Sequence, residues 1–433
     1  MGAHGSGHPE RLPEACRHLM TSVEGAGHQQ VQTRAARSRR LVLTASGVSS
    51  LGDGMWTASV PLAAVAIDHS ASAVAVVSAI ALLPWLVVAP VAGAFVDRWP
   101  TKPVLVLSDL LRALVIAALV ATFLTHSITI PILAAGAFLV VSGWIFHGAA
   151  QQSLVADLTD GDPASRDTTN ARMSSLDVAG GSLIGPPVGS AAFAAGAWLP
   201  FLADALSFAF SAALLATVRS ESKPQATSRH EPVRRAIRAG GAFLLRHREL
   251  RTLALLTGIA NLTTNCAMVV LVLYAVDSDG LGLSAARYGL LIAALAVGGV
   301  VAGPLAPRVL RRWGARNLVA GSLVARILVW PTIALTHQPV VAGLALVVAG
   351  FASTFVTVTV TSARQQLSPR PLLGRVVTAF RTIGNGAAPL GALIGGVLAH
   401  VVGLRGTLVA ASAILAIAAI VLLPYLMRSR TLR

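Results

Sequence analysis

Charge is scarce in this sequence. Asp, Glu, Lys and Arg together supply 12% of the 433 residues, while hydrophobic residues supply 55%. Soluble domains carry about 25% charged residues, so an ordinary water-soluble globular domain is excluded. Cysteine is nearly absent: Cys16 and Cys266 are too few and too differently placed for a disulfide framework or a metal site. The chain contains no HExxH, no P-loop GxxxxGKS/T and no Cys–His cluster. An enzyme reading is thereby left without support, and a self-powered ATP pump is disfavoured. Residues 1–40 hold Gly, His and Arg but no apolar run, so they do not read as a secretory signal peptide. They are expected to form a disordered cytoplasmic tail, and the spacing of His4, His8, His18 and His28 fits no metal motif. No cofactor and no metal are expected.

What the sequence has instead is long apolar runs. Leu41–Ile67, Ala73–Val96, Pro103–Leu124, Ile130–Ala150, Val178–Ala197 and Trp198–Val218 make six. Leu253–Val276, Tyr288–Ala306, Leu318–Leu335, Val340–Thr361, Val376–Val402 and Thr407–Met427 make six more. Each is long enough to cross a hydrocarbon core of ~30 Å as a helix. The short alternating segments of a membrane β-barrel do not occur. The expected fold class is an all-α membrane protein of twelve transmembrane helices.

The formal charge of +16 could suggest a nucleic-acid partner, but its distribution points elsewhere. Counting span edges, thirty of the 34 Lys and Arg residues fall in the N-terminal tail, the C-terminus and every second gap between spans. The other gaps hold only Arg287 and Arg405, and Arg112 and Arg326 lie inside spans. This is the positive-inside pattern, which places both termini in the cytoplasm. The basic excess serves topology first and contact with anionic lipid headgroups second. No nucleic acid is expected as a partner.

The chain also repeats itself. A shift of 214 positions carries Arg98-Trp99 onto Arg312-Trp313, Ser108 onto Ser322, Arg112 onto Arg326 and Gln151-Gln152 onto Gln365-Gln366. A constant offset across three successive spans implies two six-helix repeats. The division expected is a first bundle over 41–218, a cytoplasmic linker over 219–251, and a second bundle with a short tail over 252–433. Within the linker, VRRAIRAGGAFLLRHREL follows Pro232 and interleaves bases with apolar residues. That pattern reads as an amphipathic helix lying at the membrane interface.

Two short stretches carry more. GAFVDRWPTK, Gly93 to Lys102, puts Asp97, Arg98 and Lys102 in the loop between spans two and three. A carboxylate there can sit at a neighbouring helix N-terminus or accept bonds from Arg, and so latch two bundles in one orientation. The alternative is that the bases only fix topology. GSLIGPPVGS, Gly181 to Ser190, spaces Gly181, Gly185 and Gly189 for close helix contact, and its Pro186 bends the helix.

The first stretch resembles the loop motif of the major facilitator superfamily, G-x-x-x-D-R-x-G-R-K/R. Gly93, Asp97, Arg98 and Lys102 match, while Pro100 and Thr101 depart from it. The second is similar to that superfamily's antiporter motif, G-x-x-x-G-P-x-x-G-G, with Ser190 replacing the last Gly. SSLGDGMW, SDLLRA, FLADALSFAFSA and NARMSSLDVAGGSLIGP narrow the resemblance to the macrolide-efflux and enterobactin-exporter branch, over about 41–428. The resemblance implies a secondary exporter with alternating access, driven by the proton gradient without a cofactor. It also implies that spans one, four, seven and ten line the cavity. Trp56, Trp144, His147, Asn261, Asn265, Met268 and Phe355 are then candidate substrate contacts.

Ionisable residues inside spans are functional candidates, because hydrocarbon penalises charge. Asp53 lies near the middle of span one between Gly52 and Gly54. It is a candidate for proton coupling, against a static hydrogen bond to another helix. Asp177 in span five is next in line. Asp109 and Arg112 stand three apart and can pair on one helical face. They read as a structural ion pair, and the resemblance sets span three at the bundle periphery. Arg326 has no acid three residues before it, and Asp204 reads as a structural helix-end residue. The function expected is proton-coupled export of a lipophilic or amphipathic small molecule, such as an antibiotic or secondary metabolite, by a monomer in the cell membrane. Siderophore export is the alternative within transport; a non-transporting receptor or scaffold is the alternative outside it.

Topology is directly testable. A reporter fused at Arg428 or within 221–230 is expected to read cytoplasmic, and one within 68–71 to read outside. A cytoplasmic signal at 68–71 would break the twelve-span arrangement.

Overall fold

A backbone entering lipid finds no water to satisfy its N–H and C=O groups, and a helix satisfies them within itself. The computed structural model describes residues 14–96, 98–159, 162–218, 233–369 and 372–428, the side chains of 14–35, 93–94 and 233–239 excepted. Every regular element among the described residues is helical. Helix α1 (Glu14–Ile67) contains Pro61 and begins inside the stretch expected to be disordered. After it, Ser70 caps the next helix by accepting the Ala73 N–H at 3.2 Å. That span is segmented into α2 (Ala71–Leu82), α3 (Pro84–Val87) and α4 (Ala89–Val96). The breaks fall where Pro84 and Pro90 supply no N–H to the ladder.

Helices α5 (Thr101–Leu124) and α6 (Ile130–Leu158) follow. Asp162 caps α7 (Pro163–Leu176) by accepting the N–H groups of Ala164 and Ser165 at 3.2 and 3.1 Å. The helix then widens into a π-helix over Asp177–Ile184 before α8 (Gly185–Ala195) and α9 (Leu199–Thr217). Beyond 219–232 come α10 (Val233–Arg246), α11 (Arg248–Val276), α12 (Ala285–Leu335), α13 (Pro339–Leu367) and α14 (Leu373–Met427). The amphipathic linker stretch is helical as α10, and its Leu244 is buried with Leu250 and Val376. This helix therefore packs on the second half as well as facing outward.

Nine helices among the described residues are long and apolar enough to cross a membrane. Two of them, α12 with 51 residues and α14 with 55, are far longer than one crossing needs. Each breaks at a glycine, Gly314 with φ 74° and Gly403 with φ 73°, where a side chain would be strained. Each is thus two helical segments joined at a bend.

The outer surface is apolar because its solvent is lipid: Leu335 and Ile420 are 81% and 74% exposed. Inside, the core is shared at one end and divided at the other. Ala63 of α1, Ala75 of α2, Leu271 of α11, Leu291 of α12 and Ala392 of α14 belong to one cluster spanning both halves. Toward the opposite end, Val42, Leu105, Leu154 and Leu215 form a core for the first half. Leu253, Val319, Ala363 and Leu415 form a separate one for the second. The shared end depends on close backbone approach. A Cβ added at Gly289 would stand 2.0 Å from the Pro186 carbonyl oxygen across the two halves.

Candidate functional site

Where the core divides, a cavity of about 730 Å³ opens between the halves. This volume falls in the range of sites for drug-sized ligands, roughly 300–1,000 Å³. Ser50 and Asp53 of α1, Trp85 of α3, Trp144 of α6 and Asp177 of the π-helix form one wall, and Arg381 and Asn385 of α14 face them. The rings of Trp85 and Trp144 meet edge to face with centroids 5.2 Å apart, a favourable aromatic geometry.

Behind this wall lies a cluster of ionisable groups. Asp53 is 27% exposed at its side chain, and its Oδ1 accepts a hydrogen bond from Nη2 of Arg112. Arg112 comes from α5 and is buried at 1% exposure. Its guanidinium carbon lies 3.6 Å from the centre of the Phe208 ring of α9. Space for its stem exists because α6 carries Gly143, where a Cβ would stand 2.7 Å from Arg112 Cγ. Asp109, one helical turn earlier, is fully buried. Its Oδ1 is 3.7 Å from Arg112 Nη1 and 2.8 Å from His147 Nδ1 of α6, and its Oδ2 accepts from the Ser211 hydroxyl at 2.6 Å. Charges leave water at a cost of several kcal/mol each, and close pairing with added hydrogen bonds offsets part of it. At the cavity edge, the Ser50 hydroxyl donates to Asp177 Oδ1 at 2.5 Å, and the Gln151 amide donates to Ser46 Oγ at 3.3 Å.

Several expectations change here. Asp109 and Arg112 do form an ion pair, but Arg112 binds Asp53 more closely, so the pair belongs to the cluster beside the cavity rather than to a remote periphery. Asp204 is not a helix-end residue: it lies within the second turn of α9 and is fully buried. Arg326 gains partners that sequence could not name: the Thr264 and Ser353 hydroxyls at 2.7 and 3.2 Å and the Ala260 carbonyl at 3.0 Å. Of the substrate-contact candidates, Trp144 and His147 line this cavity. Trp56 packs edge to face on Phe201, and Phe355 packs on Phe351. Asn261 donates to the Gly384 carbonyl and Asn265 to the Asn261 carbonyl, while Met268 packs against the shared core.

The antiporter motif divides between two structures. Gly181 lies in the π-helix, and Gly185, Pro186 and Gly189 lie in α8. A Cβ on Gly185 would stand 2.5 Å from the Gly54 Cα, so the motif presses α8 onto α1 one residue past Asp53. Of the loop motif, Gly93 lies in α4, Arg98 is exposed and Lys102 is half-buried at the start of α5. Asp97 lies outside the described residues. Trp85 and Arg381 were missed in the sequence because neither sits in a recognisable motif.

The cluster makes a clear energetic prediction. Arg112→Gln should destabilise the folded protein by about 3–5 kcal/mol, since it leaves buried carboxylates without their cation. Adding Asp53→Asn should recover part of that loss, as read by unfolding in detergent. Strictly additive effects would contradict the pairing.

Comparison with known proteins accords with this geometry. A family model described as transmembrane secretion effector matches residues 35–431. The multidrug efflux pump Tap of Mycolicibacterium fortuitum is 27% identical over 380 residues, covering 86% of this chain and 91% of that protein. The nucleoside transporter NupG superposes with a TM-score of 0.74 at 11% identity, over 91% of this chain and 100% of that one. A bacterial homologue of the iron transporter ferroportin, solved in an inward-facing state, gives a TM-score of 0.73 at 19% identity, over 91% and 99%. The two structural likenesses speak for the fold alone. The family match spans nearly the whole chain, and the protein belongs to the transmembrane secretion effectors of the major facilitator superfamily.

Proposed function

We propose that the protein exports a lipophilic or amphipathic small molecule, a drug, antibiotic or secondary metabolite, in exchange for protons. The observation that carries this reading is Asp53: a partly exposed carboxylate at the cavity wall whose counter-ion, Arg112, is almost fully buried beside it. Multidrug efflux by the relative Tap supports the substrate class and the outward direction. The paired tryptophans offer an apolar surface whose ring faces also attract cations.

The coupling follows from competition. Asp53 can be held by Arg112, by a proton, or by a cationic or hydrogen-bonding part of the substrate, and these exclude one another. With the cavity facing the cytoplasm, Asp53 loses its proton and takes up substrate. With the cavity facing outward, a proton binds Asp53 and the substrate leaves. The protein needs no differential chemistry beyond this, because each ligand favours one occupancy of a shared group. Asp177, beside Ser50 at the cavity edge, is the second candidate for such exchange.

The same proposal sets the protein in the cell membrane as a monomer with both termini cytoplasmic. It has twelve spans if the bent α12 and α14 each cross twice and α1 crosses once. The bundles are 41–218 and 252–433, joined by the linker 219–251. The shared core then lies at the outer face and the cavity opens inward. Gly93, Asp97, Arg98 and Lys102 serve as the latch between orientations.

The test is to measure substrate binding and pH-gradient-driven flux on one purified variant, Asp53→Asn. The amide mimics the protonated acid, the form from which substrate leaves, so binding should weaken and lose its dependence on pH, and gradient-driven export should collapse. Retained proton-driven export would exclude Asp53 as the coupling site. In the same assay Asp97→Asn should bind substrate normally and transport more slowly, and a wild-type rate would remove the latch.

A further inference from the structure

The ion pairs leave one buried carboxyl of the cluster unexplained. Asp204 of α9 has no solvent exposure. Its nearest donor is the Ser207 hydroxyl, which donates to the Asp204 backbone carbonyl at 2.8 Å and stands 3.4 Å from Oδ1. The other carboxyl oxygen, Oδ2, has no hydrogen-bond partner among the described residues. The group is pressed against the α1 backbone. A Cβ added at Gly52 would lie 2.2 Å from Asp204 Oδ1 and 2.3 Å from Ser207 Oγ. Gly52 therefore makes room for this carboxyl, one residue before Asp53.

The charged groups that act on it are Asp53 from α1 and Asp109 and Arg112 from α5, and His147 from α6 joins the cluster against Asp109. They contain three carboxyls with Asp204 counted, against one guanidinium and one imidazole. The guanidinium is bound to Asp53 and stands 3.7 Å from Asp109. The imidazole stands against Asp109 at 2.8 Å. No ion pair reaches Asp204 among the described residues. An ionised carboxylate that is buried without a counter-ion and with one oxygen unbonded is far costlier than the neutral acid. The negative charge of Asp53 on the adjacent helix adds to that cost.

We propose that Asp204 is a second proton-binding site of this cluster, set behind Asp53 and away from the cavity wall, and that it holds its proton while Arg112 is bound to Asp53. The site stores a proton in the membrane interior without using the group that meets substrate. It also explains how three carboxyls share one arginine. This claim concerns protonation in the resting protein and stands apart from the exporter reading, so a failure of transport would leave it untouched.

Infrared spectroscopy of the purified full-length protein in lipid nanodiscs at neutral pH tests it. A carbonyl stretch of a protonated carboxylic acid should be present in the wild type, retained in Asp177→Asn and lost in Asp204→Asn. Absence of the band from the wild type, or its survival in Asp204→Asn, would overturn the proposal. Should Asp204→Asn fail to fold, Ser207→Ala supplies the answer. Loss of the neighbouring hydroxyl should shift the band, and an unmoved band would place the proton elsewhere and overturn the proposal. Labelling with dicyclohexylcarbodiimide, which reacts with protonated carboxyls in lipid, should put an adduct on the peptide carrying Asp204. An adduct confined to other peptides would likewise overturn it.

Discussion

The first half of this protein is arranged around the contact between Asp53 and Arg112. A guanidinium at 1% exposure inside a lipid-facing bundle is tolerable only with a carboxylate against it and hydrogen-bond partners around it. The neighbouring positions follow from that requirement. Gly143 leaves space for the arginine stem, Phe208 offers its ring face, and Ser211 and His147 steady the second carboxylate, Asp109. Asp53 alone among these acids is partly exposed, and it meets the cavity beside Arg112 and His147, which also line it. Whatever enters the cavity can therefore act on the buried charge by competing for Asp53.

Packing between the halves is compatible with movement. At the shared end, contact is made through glycine and small side chains, with Gly289 against Pro186 and Gly396 against Ala75. Such surfaces let backbones approach closely and interlock little, which suits rigid bundles that rock about a fixed site. At the other end each half keeps its own apolar core, so separation there exposes little that was buried between them. The π-helix at Asp177–Ile184 adds a local widening just where α1 and α8 meet, and it sets Asp177 beside Ser50. Widened turns of this kind recur at functional positions.

Much of this was legible in the sequence, for reasons that can be named. Lipid exposure makes spans apolar along their whole length, so hydropathy reveals them, and the offset of 214 reveals the two halves through Arg112 and Arg326. Asp53 stood out because a charge inside a span is conspicuous. Its partner did not, because Arg112 has an acid three residues earlier, and local spacing favoured Asp109 over a residue 59 positions away. The depth of Asp204 is not legible in the sequence, because it depends on where α9 sits among its neighbours. The cavity wall was the least legible part. Trp85 and Arg381 reach it through helix rotation, which a uniformly apolar pattern does not encode, and Trp56 turns the other way onto Phe201 for the same reason.

The central claim is that Asp53 exchanges a proton for substrate at the cavity wall. Proton movement during transport tests it most directly. Protein reconstituted in sealed liposomes, with substrate supplied on one side and a pH-sensitive dye on the other, should move protons opposite to the substrate. The ratio of the two fluxes should hold constant as the substrate concentration is varied. Substrate flux with no accompanying proton movement would contradict the account.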